Sequence, residues 1–184
     1  MYFITNLSID KKQSKIMQKF IISVTKENFN LIEDKRFECF ILSESLGAEF
    51  KSAFAQKAKE QNKLVLSFSK EDCLKYNLDG LIVDLSKSEH ILSDYEKATG
   101  DLKGKFIGVI CRNRRHEAML CSECEPDFIV FRAWEKGADK VKELISWYAD
   151  LFLIQSAVLP MEIVDFTAFE TDFVILDDVL LKGI

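Results

Sequence analysis

Short apolar runs alternate with amphipathic stretches throughout the chain. Runs such as FIIS, LIV, FIVF, LFLI and FVIL are continuous, the pattern of strands covered on both faces. They predict strands at 20–24, 38–43, 63–69, 80–85, 105–112, 127–134, 151–158 and 172–177. Helical spacing fills the intervals. Residues 49–61 place Phe50, Ala53, Phe54 and Ala58 near one face, and 89–98 do the same with Ile91, Leu92 and Tyr95. Residues 140–149 carry a stripe of Val141, Leu144, Ile145 and Tyr148. A short apolar segment at 161–169 follows Pro160, a residue suited to the first turn of a helix.

Alternation of strand and helix calls for a parallel sheet with right-handed crossovers. Three segments repeat one form, an Asp, about four apolar residues and then a charge: Asp79 to Asp84, Asp127 to Arg132 and Asp172 to Asp177. The leading Asp residues lie 48 and 45 residues apart, about two strand–helix units. Equivalent strands at that interval suit a small (β/α)8 barrel of the TIM type, with an open doubly wound sheet as the alternative. The first and last helices are expected to be reduced. The link at 25–37 is short for a full crossover, and little chain follows the last strand. A helix at 10–20 is the candidate to cover that gap.

The 184 residues fit one domain, 1–184, with no linker or low-complexity stretch to divide it. The formal charge of −5 argues against nucleic acid and anionic lipid as partners, and no apolar run is long enough to span a bilayer. The start, MYFITNLSIDKK, has no export-signal pattern, so a cytoplasmic location with reduced thiols is expected for the five cysteines. Cys121 and Cys124 form a Cys-x-x-Cys, but no second pair completes a zinc site, and the motif is expected to close a helix rather than open one. No Gly-rich nucleotide loop and no Gly-x-Ser-x-Gly element is present.

In parallel barrels the active site lies at the carboxyl ends of the strands. The polar residues expected there include Ser43, Glu44, Ser67, Asp84, Arg112, Arg132, Gln155, Ser156, Asp177 and Asp178. Side-chain alternation puts Arg112 on the face of Gly108 and Ile110, and Arg132 on that of Phe128 and Val130. Asp84 shares a face with Ile82, and Asp177 with Phe173 and Ile175. If those faces point inward, two arginines and two aspartates meet at one mouth. There the arginines either hold a phosphate or carboxylate, with Ser67, Gln155 and Ser156 as further ligand groups, or pair with the aspartates and plug the barrel. Asp84 and Asp177 are the acid–base candidates of an active isomerase or lyase, and with Asp178 they form a candidate divalent-ion cluster. His90 and His116 fall at helix starts, where a histidine is ordinarily a surface residue.

From 63 to 178 the order of features resembles the thiamine-phosphate synthase and thiazole tautomerase family of phosphate-binding barrels. The pieces are LVLSFSKEDCLKYNLDGLIVDL, KFIGVICRNRRHEAML, EPDFIVFRAW, LFLIQSAV and TDFVILDDVL. The shared residues are Asp79-Gly80, Ile107-Gly108-Val109, Glu117-Ala118, Asp127 and Asp172. The resemblance implies a thiamine-biosynthetic transferase or isomerase with a small phosphorylated ligand, and Mg²⁺ where the family chemistry survives. The departures point to a degenerate active site, as in a pseudoenzyme. The family's Asn-Asp falls at Ser67-Phe68, its His-Leu-Gly-Gln near 82–85, and its phosphate-turn Gly-Gly at Gln155-Ser156. The expectation is a barrel of this type binding a phosphate-bearing ligand with weak or lost catalysis. The alternative is a non-catalytic interaction scaffold with a plugged barrel, associating as a homo-oligomer through apolar surface such as Phe166 and Phe169.

Overall fold

The computed structural model describes residues 18–162 and 164–178. Eight parallel strands close into a barrel: β1 (Lys19–Val24), β2 (Phe37–Leu42), β3 (Leu64–Ser67), β4 (Gly80–Asp84), β5 (Phe106–Ile110), β6 (Phe128–Ala133), β7 (Gln155–Pro160) and β8 (Phe173–Asp177). Each strand pairs with the next in sequence, and β8 pairs with β1 to complete the ring. The connecting helices are α1 (Asn30–Glu33), α2 (Ala48–Glu60), α3 (Lys70–Lys75), α4 (Ile91–Thr99), α5 (Arg115–Glu123) and α6 (Ala138–Leu151). The small (β/α)8 barrel expected from the alternation is the fold observed.

Strict alternation along each strand divides the core in two. Ile21, Ile41, Leu66, Ile82, Ile110, Val130, Ala157 and Ile175 point inward and fill the barrel with Phe128. The alternate residues, among them Ile22, Phe40, Val65, Val109, Phe131 and Val174, face the helices. Gly108 sits against the inner filling. A Cβ at that position would come within 2.4 Å of the Phe128 ring, so the missing side chain of β5 is the space that the Phe128 ring occupies. On the outer layer, α6 buries the expected stripe of Val141, Leu144, Ile145 and Tyr148. Tyr148 is anchored by a hydrogen bond with the Ser122 hydroxyl at 2.9 Å.

The repeated Asp has a physical role. Asp79, Asp127 and Asp172 each stand immediately before an even-numbered strand. Each uses one carboxylate oxygen to accept the backbone N–H of the second residue of the preceding odd strand: Val65 at 2.8 Å, Ile107 at 2.7 Å and Ser156 at 2.8 Å. The parallel ladder leaves these donors without a partner at the strand's amino end, and the carboxylate supplies it. Position 36, before β2, breaks the repeat. Arg36 stands there, with Asp34 forked on its guanidinium and its own Phe37 ring beneath it.

α1 is a single turn, as expected from the short link, whereas two other segments differ from expectation. The helix predicted at 161–169 reduces to a 3-10 turn at Phe166–Ala168, and Pro160 ends β7 instead of opening a helix. Met161 N–H stays on the sheet by donating to the Ala133 carbonyl, and the Asp165 side chain takes the Thr167 N–H and hydroxyl, which favours a tight turn over a helix. Phe169 is buried and Phe166 packs edge-on against Phe20, so neither offers the exposed apolar face expected of them. The second difference is at β7. The run 151–154 was read as strand, yet Leu151 ends α6 and Phe152 stacks on Tyr148 with ring centroids 4.7 Å apart. That stacking claims the aromatic for the helix, and β7 starts at Gln155. The helix expected at 10–20 lies outside the described residues up to 17, and 19–20 belong to β1. The expectation for the final helix also lies outside them.

Candidate functional site

The carboxyl ends of β4, β5 and β6 bring three sequence-predicted groups together. Asp84, Arg112 and Arg132 fall on the inward-facing parity, two residues beyond Ile82, Ile110 and Val130. Arg132 reaches across the end of β5 to Asp84, with Nη2 donating to Oδ2 at 2.6 Å. Its Nη1 donates to the Ser86 hydroxyl at 3.0 Å. Arg112 meets the same loop, Nε donating to the Ser86 carbonyl at 3.1 Å, and its other side faces Glu117 at 3.6 Å. Both guanidiniums thus converge on Ser86. Asn113 Nδ2 donates to the Arg132 carbonyl at 2.6 Å and ties the β5 loop to β6.

The electrostatics of this cluster are self-compensated. Burial works to raise the Asp84 carboxyl, but hydrogen bonds from Ser86 and Arg132 outweigh it and hold the group below its usual range. Arg112 and Arg114 share Glu117, each at 3.6 Å. Two buried polar atoms in the cluster lack a hydrogen-bond partner among the described residues: Arg132 Nε and Asn113 Oδ1.

The other candidates do not join. Asp177 is at the correct end of β8 and exposed, with no ion-pair partner among the described residues. Asp178 is committed elsewhere: its carboxylate accepts the N–H groups of Thr25 and Lys26 at 3.2 Å and the Thr25 hydroxyl at 2.5 Å, closing the β8 end onto the β1 loop. Among the described residues no three His, Cys, Asp or Glu side chains are placed to hold a metal ion together.

Ser67 lies at the carboxyl end of β3, yet its neighbour Leu66 is the one that points inward. The Ser67 side chain faces the helices, fully buried, and accepts the Ser69 N–H at 3.0 Å. Gln155 and Ser156 open β7 rather than close it, which puts them at the end of the barrel opposite the arginines. Ser156 is buried on the outward parity, with its N–H given to Asp172. The residues that follow β7 at the mouth end are Met161 and Glu162, and Glu162 accepts the Glu135 N–H at 3.1 Å. Ser86 was missed in the sequence because it follows β4 by two residues. Its signal was the Asp-x-Ser spacing, in which the Asp84 carboxylate takes the Ser86 N–H at 3.0 Å.

Of the five thiols, those of Cys73, Cys111 and Cys121 are buried and those of Cys39 and Cys124 half-buried. Cys111 and Cys121 are both buried, and contact between them together with burial pushes the Cys111 thiol well up. Cys124 follows the last helical residue of α5, and burial raises it to about 11. A thiol held up in this way is a poor nucleophile. His90 and His116 are both exposed at helix starts.

Together these features define a small closed (β/α)8 barrel with a charged, internally paired mouth. No family model and no curated protein matches the chain. Solved structures do. A variant of the citrate synthase SbnG superposes with a TM-score of 0.60 at 12% identity, covering 90% of this chain and 89% of that one. KGPDC from Streptococcus mutans superposes with a TM-score of 0.56 at 12% identity, covering 90% of each. At such identity the likeness is one of fold. Among the described residues no helix is long and apolar enough to cross a membrane.

Proposed function

We propose that this chain is a divergent barrel of the thiamine-phosphate synthase and thiazole tautomerase type that has lost the family's chemistry and takes a small phosphate-bearing ligand at its mouth. The observation that carries the reading is the convergence of Arg112 and Arg132, from adjacent strands, on the Ser86 loop. Paired guanidiniums at the carboxyl end of parallel strands are suited to a phosphate. Loss of chemistry is supported by what surrounds them. Ser67 faces away from the barrel interior, Asp178 is consumed by backbone donors, and both histidines sit on helix ends.

A second reading is favoured by one contact. The 2.6 Å Arg132–Asp84 pair ties the carboxyl end of β6 to that of β4 and suits a closed interaction scaffold that binds no small molecule.

Thermal-shift titration with inorganic phosphate, thiazole phosphate and thiamine phosphate, each with and without Mg²⁺, separates the two. A ligand at a hundred times its Kd raises the melting temperature by roughly 5–10 °C for a domain of this size. We expect such a shift in the natural chain and its loss in Arg132→Ala. Absence of any shift at tens of millimolar overturns the ligand reading and leaves the scaffold.

A further inference from the structure

The side-on edge of an arginine, Nε with Nη2, is a two-pronged donor matched to two oxygens of one anion. This molecule contains a filled example. Arg36 gives Nε to Asp34 Oδ1 at 3.1 Å and Nη2 to Oδ2 at 2.8 Å. Arg132 is different. Its Nη2 meets Asp84 Oδ2, while Nε is buried and without an acceptor. Asp84 Oδ1 accepts the Ser86 N–H at 3.0 Å and makes no bond to Arg132, so the carboxylate meets the fork with Oδ2 alone. Asp84 therefore fills half the fork and leaves Nε open.

Resting on the phosphate reading above, we infer that Asp84 is a built-in competitor for the anion site on Arg132, one that a phosphate displaces by taking both prongs of the fork. The exchange has a clear balance. The incoming anion gains the Nε donor that Asp84 leaves unused, and it takes over Nη2 together with the Ser86 hydroxyl that now helps hold Asp84 ionised. Asp84, 43% exposed, turns to water and keeps its Ser86 N–H. A monoanionic carboxylate offers the fork the same two oxygens with less charge. The competitor therefore sets a threshold that a phosphate dianion clears and a simple carboxylate does not. Asp84 is in this sense a specificity-determining residue.

The test is calorimetric titration of the full chain with inorganic phosphate at pH 7.5 and low salt, with acetate as the carboxylate control. The chains compared are the natural one, Asp84→Asn, Arg132→Met and the double variant. Asparagine keeps an oxygen for the Ser86 N–H and removes the competing charge. Asp84→Ser serves the same comparison if the amide variant melts early. The expected result is phosphate binding about tenfold tighter in Asp84→Asn than in the natural chain, the scale of one charge-assisted contact, a gain for acetate as well, and loss of both in the Arg132→Met backgrounds. Equal phosphate affinity in the natural chain and both Asp84 variants overturns the competitor while leaving the phosphate site standing. No binding by any chain at tens of millimolar overturns the competitor and the phosphate reading together.

Discussion

Replacing Asp127 by alanine deletes the carboxylate at the amino-terminal end of the barrel and leaves the Ile107 N–H with no acceptor. That bond is 2.7 Å long and partly buried, and Ile107 is itself a core residue. An unpaired donor at such a site costs about 1–3 kcal/mol. For a domain of this size each kcal/mol lowers the melting temperature by about 2–4 °C, so the variant should melt roughly 2–12 °C early. Asparagine at the same position keeps an oxygen acceptor and should lose less than half as much. Asp79→Ala and Asp172→Ala strip the same bond from Val65 and Ser156 and should cost similar amounts. These two lie far apart round the ring, at β3–β4 and β7–β8, so their double variant should be additive within about 0.5 kcal/mol. Urea denaturation followed by circular dichroism reads all of these from the shift in midpoint at constant slope. An unchanged midpoint in Asp127→Ala refutes the argument. So does an Asp127→Asn variant as unstable as the alanine, because the acceptor would then not be what the position supplies.

Two further outcomes test the inner core and the mouth. Gly108→Ala drives a methyl to 2.4 Å from the Phe128 ring and should cost about 1–3 kcal/mol by overpacking. Adding Phe128→Leu should return part of that loss, so the double variant falls short of the sum of the singles in melting temperature. At the mouth, the Asp84 carboxyl is held below its ordinary value in the folded chain, by hydrogen bonds from Ser86 and Arg132 that outweigh the upward push of burial. Its stabilising contribution is therefore complete above the unfolded value of about 4 and is lost as pH falls through the lowered folded value. The melting-temperature gap between the natural chain and Asp84→Asn should accordingly close as pH falls below about 4 and stay constant from about pH 5 to 8. A gap that instead widens on acidification contradicts the pairing.

The barrel was legible because two independent periods agree in this sequence. Continuous apolar runs mark strands covered on both faces, and Asp79, Asp127 and Asp172 mark every second strand from β4 on. Alternation put Asp84 on the face of Ile82, Arg112 on that of Gly108 and Ile110, and Arg132 on that of Phe128 and Val130, and the structure turns those faces inward. What failed did so where an apolar residue had two uses. Residues 151–154 fit a strand pattern, but Phe152 is held by Tyr148 and Trp147 of α6, and that pairing of aromatics has no signature in spacing. The error moved Gln155 and Ser156 to the wrong end of the barrel. Ser67 was lost to a different cause, since a residue at a strand end faces in or out by a one-step change of register. The half-filled fork on Arg132 was beyond sequence altogether, because it depends on how the Asp84 carboxylate is turned on the Ser86 loop.

The charge pattern of the mouth bears on which forces can select a ligand. Arg132 faces Asp84, and Arg112 and Arg114 share Glu117, so every cation named there already has an acid beside it. Such a mouth projects little net positive field, and long-range steering of an anion contributes little to its capture. Exposed pairs of this kind are individually worth at most about 1 kcal/mol, which makes them easy to exchange. Selection then has to come at contact, from donors that an internal carboxylate leaves unsatisfied and an incoming anion satisfies. Arg132 Nε is such a donor, buried and unpaired beside a partner that bonds only Nη2. An ion pair that fully sealed the barrel would leave no donor of this kind, as Arg36 and Asp34 leave none between them on their shared edge. The mouth is therefore closed by a contact weaker than the one its own geometry permits, and that difference is the free energy a better-matched anion has available.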